Sequence, residues 1–242
     1  MERAQTGTTR KSFLRTAGIG GAAVLGGSAL LGSVAGSARA GDSGDGVPDV
    51  DILNFALSLE YLEAEFYTQA LGGSGTTGVP GSAAKFDRGA ITGSNLFAGD
   101  GGRVRSSVYD SLVTIREHEV THVDFLRTAL RSYAVRPCTF DFSSGLTDVG
   151  TFLATAQLLE NTGVMAYDGA IRYVDAGAYL QAGAQIATVE ARHAAYLNLL
   201  NGTSSFPSAF DTGKKPSEIY NAAKGFIASC PPEVVVLIGR LP

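Results

Sequence analysis

Cysteine and histidine are both scarce in this sequence of 242 residues, which contains two cysteines and three histidines. Cys138 and Cys230 allow at most one intramolecular disulfide, so a scaffold held together by many disulfides is excluded. The sequence leaves open whether the two cysteines pair, because it does not give their separation in space. Any site that needs imidazole must draw on His118, His122 and His193.

Basic residues are in short supply beyond the N-terminal segment. Residues 41–242 hold 14 basic and 22 acidic side chains, a formal net charge of −8. Such an acidic chain is repelled by the phosphates of nucleic acids and by anionic membranes, so we expect neither as a partner. The glycine-rich stretch around Asp100 follows no predicted strand and lacks the lysine of a phosphate-binding loop, which argues against a nucleotide site there.

Long apolar runs are confined to the first forty residues, which have the features of an export signal. A basic start leads into residues 9–15, a weakly apolar stretch covers residues 17–35, and residues 38–40 offer a small-x-small cleavage site. Residues 9–15 resemble a twin-arginine motif in which Lys11 replaces the second arginine. The alternative is a membrane anchor, but the stretch is short and weakly hydrophobic for a stable span. We expect export to the periplasm, cell envelope or extracellular space, without stable membrane insertion after cleavage.

Four long stretches of helical periodicity follow a polar, glycine-rich linker at residues 41–48. They predict an all-α fold, a four-helix bundle over residues 49–200. The helical stretches cover residues 51–71, 103–133, about 147–175 and about 178–200, with residues 73–102 as a long surface loop. Residues 201–242 form a C-terminal extension, in which residues 216–229 predict a short fifth helix and the remainder an irregular tail.

Two of the three histidines follow a glutamate at the same spacing. Glu119 and His122 lie in the second helix, and Glu190 and His193 lie in the fourth. Residues three apart project from one face of a helix, so each pair can reach a single ion. Both pairs interrupt stripes that are otherwise apolar, and a buried carboxylate needs a partner or a metal. We therefore predict that both pairs bind metal in the core.

The first and third helices carry a matching pattern. Glu60 and Glu160 each interrupt a largely apolar stripe, and Tyr67 and Tyr167 follow them seven residues later. The chain thus consists of two helix hairpins with the same signature. Its four glutamates and two histidines supply ligands for two divalent ions, whose charge the four carboxylates balance. Mixed carboxylate and imidazole ligands suit iron or manganese, and zinc less specifically.

Several alternatives remain open around these positions. Glu63 lies on an apolar face of the first helix and could replace the lone glutamate there, whereas Glu65 is expected to face solvent. His118 lies off the apolar stripe and is expected to be solvated. Tyr67 and Tyr167 either support the ligands through hydrogen bonds or serve as core aromatics with a satisfied hydroxyl.

These residues resemble the ferritin-like superfamily, in which a Glu from each of two helices joins a Glu-x-x-His from each of the other two. Residues 54–67, NFALSLEYLEAEFY, are similar to the first helix of exported bacterial ferritin-like proteins, a group that includes plant desiccation-related proteins. The resemblance covers about residues 49–200. It implies bridging roles for Glu119 and Glu190, terminal roles for Glu60 and Glu160, one ion each for His122 and His193, and supporting roles for Tyr67 and Tyr167. The long loop and the C-terminal extension depart from a ferritin storage cage.

Three functions are compatible with such a site. The first is a redox enzyme that acts on dioxygen, peroxide or ferrous ion. The second is binding of iron or manganese in metal homeostasis, without turnover. The third is a stress- or desiccation-related structural protein with a residual metal site. The oligomeric state stays open, and a homo-oligomer is compatible with the sequence.

Overall fold

Four long helices dominate the computed structural model, which describes residues 47–97 and 103–242. The export signal predicted for residues 1–40, and all but the end of the linker, lie outside the described residues. Seven α-helices occur within those ranges: α1 Asp49–Leu71, α2 Arg88–Thr92, α3 Arg103–Leu130, α4 Val149–Ala170, α5 Gly177–Leu200, α6 Pro216–Ala223 and α7 Pro232–Ile238. In the part of the chain described here, none of them is both long and apolar enough to cross a membrane.

Local signals in the sequence set the ends of the long helices. Asp148 caps α4, because its carboxylate accepts a hydrogen bond from the Thr151 backbone N–H at 2.9 Å. Gly72 ends α1 with a φ of 76°, a conformation that costs glycine little. The carboxylate of Asp49 accepts hydrogen bonds from the backbone N–H groups of Asp175 and Ala176, so the start of α1 is fixed to the turn before α5.

The long helices pack as two hairpins. Helix α1 lies against α3, helix α4 lies against α5, and the hairpins meet mainly through α1 and α4. Aromatic side chains fill part of the interior at one end, where Phe66 packs against Phe142 and Phe152 with ring centroids 5.3 and 5.6 Å apart. Burial of such large apolar side chains is the main force that holds a bundle together. The prediction of an all-α four-helix bundle is confirmed.

The connection between α1 and α3 contains more structure than predicted. Residues 73–102 were expected to form a surface loop, but α2 lies within them and is capped by Asp87, which accepts from the Ala90 N–H at 2.7 Å. Four apolar side chains in the described part of the connection are buried: Val79, Phe86, Ile91 and Phe97. They anchor the connection to the bundle, which its glycine-rich composition obscured.

The C-terminal extension also differs from the prediction. The helix predicted for residues 216–229 is α6, which ends at Ala223. Ile227–Ser229 instead forms strand β2, which pairs antiparallel with strand β1, Thr139–Phe140. Cys138 and Cys230 form a disulfide beside this pairing. The predicted irregular tail contains α7, whose Val234 and Leu237 are buried. Partners far away in sequence determine these elements, so local periodicity could not reveal them.

Candidate metal centre

Six polar side chains from the four long helices meet inside the bundle. They are Glu60 of α1, Glu119 and His122 of α3, Glu160 of α4, and Glu190 and His193 of α5. All four glutamates are 0% exposed, so water does not solvate their carboxylates from the surface. The i,i+3 spacing on α3 and α5 places each glutamate and its histidine on one helix face. The structure thus brings together all six side chains that the sequence singled out.

One group of potential ligands surrounds His122. Its Nδ1 atom lies 3.2 Å from Glu60 Oε2, 3.2 Å from Glu119 Oε2 and 3.3 Å from Glu190 Oε1. One ligand atom from each of these four residues lies within 4.8 Å of every other. A cation between them would meet three carboxylates and one imidazole.

A second group surrounds His193. Its Nδ1 atom lies 2.9 Å from Glu119 Oε1 and 3.2 Å from Glu160 Oε2, and Glu190 belongs to the same cluster within 4.8 Å. Glu119 and Glu190 therefore belong to both groups, while Glu60 and Glu160 belong to one each. This overlap would allow cations in the two groups to share two carboxylates.

Each hairpin contributes a tyrosine that contacts a glutamate carboxylate of the other hairpin. The Tyr67 hydroxyl donates to Glu160 Oε1 at 2.6 Å, and the Tyr167 hydroxyl donates to Glu60 Oε1. Since the earlier residue of each helix meets the later residue of the other, α1 and α4 run antiparallel. Each hydroxyl holds one carboxylate oxygen and leaves the other, Oε2, facing the nearby histidine.

Several inward-facing atoms of the cluster make no well-directed hydrogen bond among the described residues: Glu119 Oε1, Glu160 Oε2, Glu190 Oε1 and Oε2, and His193 Nδ1. All of them except Glu190 Oε2 lie within 3.3 Å of an imidazole nitrogen or carboxylate oxygen of the same cluster, so they are paired with one another in the absence of a cation. Buried polar atoms in proteins are nearly always satisfied, and an unpaired buried charge is strongly destabilising. Carboxylate oxygens and an imidazole nitrogen that point into one small space are suitable ligands for a divalent metal. The residues therefore fit a metal centre.

Mutual attraction between acids and imidazoles dominates part of the cluster. Burial alone would raise the pKa of Glu119, but His122 and His193 outweigh it and hold that pKa well below its usual range. Burial likewise opposes protonation of His193, yet Glu119 and Glu160 raise its pKa to about 10. The pKa of His122 is raised even further, by Glu60 and Glu119. Without metal, both histidines therefore carry a proton at neutral pH.

The remaining carboxyl groups resist ionisation. Burial raises the pKa of Glu60 to about 7, although His122 counteracts part of the effect. Burial also raises the pKa of Glu160. Burial raises the pKa of Glu190 as well, and the nearby Glu119 raises it further. In the metal-free site, protons therefore occupy the histidines and the carboxyl groups with raised pKa, and a metal ion must displace these protons to bind.

His118 contacts the centre from its rim, which the sequence did not suggest. His118 is exposed, as expected, but its ring stacks on the ring of His193 with centroids 5.2 Å apart. His118 Nδ1 lies 2.9 Å from His193 Nε2, on the side of the ring that faces away from the carboxylates. Histidines that bind metal through one nitrogen commonly hydrogen-bond through the other. His118 directly precedes Glu119 and lies outside the apolar stripe, so the helical pattern did not indicate this contact.

The other glutamates of α1 lie outside both ligand groups. Glu60, and not Glu63, belongs to the His122 group, while Glu63 is buried beside the centre. The expectation for Glu65 is wrong: it is buried and accepts a hydrogen bond from Gln69 at 2.9 Å. Glu65 lines a cavity together with residues 80–83 and with Phe142 of the connector after α3, neighbours that helical periodicity does not record.

Comparison with known proteins agrees with this architecture. Residues 48–203 match the ferritin-like domain, so the chain belongs to the ferritin-like domain family. A curated relative, Protein rds1 of Schizosaccharomyces pombe, is 26% identical over 186 residues. The match covers 76% of this chain and 40% of the relative, so the chain spans less than half the length of that protein.

Proposed function

We propose that this protein is an exported ferritin-like metalloprotein that binds two iron or manganese ions and acts in ferrous-ion oxidation, peroxide removal or related metal homeostasis. One observation carries the proposal: two ligand groups of three carboxylates and one histidine overlap through Glu119 and Glu190 in the bundle interior. A ferritin-like fold with such a cluster supports a dimetal site, and iron or manganese suits its mixture of ligands.

The six side chains would take three roles in this proposal. Glu119 and Glu190 would be shared by the two ions, because each lies in both groups. Glu60 and Glu160 would each hold one ion, and Tyr167 and Tyr67 orient their carboxylates. His122 and His193 would bind through Nδ1, the nitrogen that faces the carboxylates.

The protein side chains prepare the site for redox chemistry. A bound iron or manganese pair supplies electron transfer to or from dioxygen, peroxide or ferrous ion. The surrounding helices exclude bulk water from the four carboxylates, which strengthens their electrostatic interactions. The carboxyl groups with raised pKa hold protons in the metal-free state and release them when a cation takes their place.

A second candidate function is structural, in a protein of stress or desiccation. It is favoured by the origin of the ligands, which come from all four long helices of the bundle. A bound ion pair would then tie the two hairpins together and stabilise the fold by linkage. This candidate predicts tight metal binding and a large increase in thermal stability, with no turnover.

The experiment compares metal-loaded wild-type protein with two variants of neighbouring glutamates on α3. Glu119→Gln removes a bridging carboxylate, whereas Glu117→Gln removes an exposed carboxylate that lies outside the centre. We expect wild-type and Glu117→Gln proteins to oxidise ferrous ion or consume peroxide faster than the free metal, and Glu119→Gln protein to lose this activity. Bound metal without any such activity in the wild type would favour the structural function.

A further inference from the structure

A cavity of about 350 Å³ lies beside the last turns of α1, and none of the six residues of the metal centre lines it. Three segments form its walls: α1 with Glu65 and Gln69, the connection before α3 with residues 80–83 and Lys85, and the connector after α3 with Phe142, Ser143 and Leu146. Its volume falls at the lower end of the range for small-molecule sites in proteins. The cavity therefore has the size for a small organic molecule.

Glu65 has one carboxylate oxygen without a protein partner at this cavity. Its Oε1 atom accepts a hydrogen bond from the Gln69 side chain at 2.9 Å, whereas no hydrogen bond or ion pair of the described chain reaches Oε2. The residue is only 9% exposed, and burial raises the pKa of its carboxyl group. A buried carboxylate is costly unless a partner neutralises it. A positively charged group inside the cavity would supply this partner.

Lys85 brings the opposite charge to the same cavity. Its side chain is exposed and makes no ion pair among the described residues, so it does not neutralise Glu65. The Lys85 backbone N–H donates to the Gln69 carbonyl at 3.3 Å, which attaches Lys85 to the end of α1 next to Glu65. The cavity thus has an anionic and a cationic side chain that leave each other unpaired.

The remaining walls combine hydroxyl groups with apolar surface. Ser82 and Ser143 contribute hydroxyls, while the buried side chains of Phe142 and Leu146 contribute apolar contacts. The wall before α3 is fixed, because Gly73 and Ser82 exchange two backbone hydrogen bonds of 3.0 and 3.1 Å. A cavity whose walls are already in place loses little affinity to ordering when a ligand binds.

We propose that this cavity binds a small zwitterion, an α-amino acid with an uncharged side chain. The ammonium group of the ligand would donate to Glu65 Oε2, its carboxylate would face Lys85, and its side chain would contact Phe142 and Leu146. Hydrogen bonds between charged groups are stronger than those between neutral groups, so both ends of the ligand contribute to affinity. A plain amine would leave Lys85 unpaired, and a plain carboxylate would leave Glu65 unpaired.

Calorimetric titration of the purified protein tests the class of ligand. The probes are L-alanine, L-valine, L-leucine, L-methionine and L-phenylalanine, whose side chains differ in size. Isoamylamine is L-leucine without its carboxylate, and isocaproate is L-leucine without its ammonium group. We expect one molecule of a fitting amino acid to bind per chain, and we expect both analogues to bind about tenfold or more weakly than L-leucine.

Variants of the two charged side chains test the location of the site. Glu65→Gln and Lys85→Gln should each weaken amino-acid binding by about tenfold or more, because each removes one charged partner. Glu117→Gln and Lys214→Gln change exposed charges that do not line the cavity, and both should bind like the wild type. Circular dichroism checks folding. Since Lys85 is exposed, Lys85→Gln should fold and decides the question should Glu65→Gln not fold.

Three results would overturn the inference. Absence of binding by all of the amino acids would mean that the cavity holds water only. Isoamylamine or isocaproate binding as tightly as L-leucine would mean that the site recognises a single charge and not a zwitterion. Unchanged affinity in both Glu65→Gln and Lys85→Gln would place any bound amino acid elsewhere on the protein. None of these results bears on the metal centre, because its six residues lie outside the cavity.

Discussion

Tyr67 of the first hairpin donates a 2.6 Å hydrogen bond to Glu160 of the second, and Tyr167 returns the equivalent bond to Glu60. Each hairpin therefore orients a carboxylate of the other. The reciprocal contact explains why the tyrosines and the lone glutamates recur together at a spacing of seven residues. It also means that neither hairpin can form a complete site without the other.

Removal of either tyrosine hydroxyl should weaken the centre without unfolding the protein. Tyr67→Phe frees Glu160, and Tyr167→Phe frees Glu60, so each should lower metal affinity by about tenfold to a hundredfold. Calorimetric titration with Mn(II) measures the effect. Tyr173→Phe alters a buried tyrosine outside the centre and should have no effect. Equal affinities in all four proteins would reduce Tyr67 and Tyr167 to core aromatics.

His118 should support the orientation of His193. Burial and the nearby His193 lower the pKa of His118, so its Nδ1 can accept the Nε2–H of His193 at neutral pH. His118→Ala should lower the affinity for metal about tenfold. His118→Gln, whose side-chain oxygen can also accept a hydrogen bond, should restore part of the loss. An alanine variant with wild-type affinity would show that the contact does not orient the ligand.

The stability of the metal-free protein should depend on pH in a direction set by its shifted groups. Burial raises the pKa of Glu60 from 4.5 to about 7, and the carboxylates raise the pKa of His193 from 6.5 to about 10. The folded state therefore holds more protons than the unfolded state in both windows. Stability from Glu60 is lost as pH rises towards 7, and stability from His193 is lost as pH rises towards 10.

Urea unfolding at a series of pH values measures this dependence. The free energy of unfolding of metal-free protein should fall as pH rises from 4.5 to 10. It should also fall below pH 4.5, because the lowered pKa of Glu119 means that protonation destabilises the folded state there. Bound metal replaces the protons and should remove the decline at high pH. A flat profile for the metal-free protein would contradict the electrostatics of the cluster.

The Cys138–Cys230 disulfide should stabilise the C-terminal extension against the bundle. It closes a loop of 92 residues, for which chain entropy gives a stabilisation of about 2–5 kcal/mol. A protein with both cysteines replaced by serine should unfold at correspondingly lower urea concentration. Wild-type protein in a reducing agent should behave like this variant. No difference between the oxidised and reduced wild type would mean that the disulfide does not form in solution.

The sequence predicted the bundle because its signals are local and repeated. Glu119 and His122 stand in an otherwise apolar stripe, and the same pattern recurs at Glu190 and His193. Burial on one face leaves this periodic record in the sequence, so the helices and the convergence of six side chains could be inferred. The cap of α4 is equally local, since Asp148 accepts a hydrogen bond from the backbone N–H of a residue only three positions away.

The missed features depend on contacts between distant segments. Strand β2 exists because β1 pairs with it, far away in sequence, and the apolar Ile227 gave no sign of this partner. Glu65 is buried and lines a cavity that the connector after α3 also lines. His118 reaches a ligand on another helix from outside the apolar stripe. In each case, the deciding contact comes from tertiary packing, which helical periodicity does not record.

The location of metal in crystals of the natively purified protein tests the central claim most directly. Anomalous scattering at the iron and manganese absorption edges should give two peaks inside the bundle, roughly 3.5–4 Å apart. Both peaks should lie between Glu119 and Glu190, one next to His122 and the other next to His193. Peaks confined to surface carboxylates, or a single peak within the bundle, would contradict a dimetal centre in this protein.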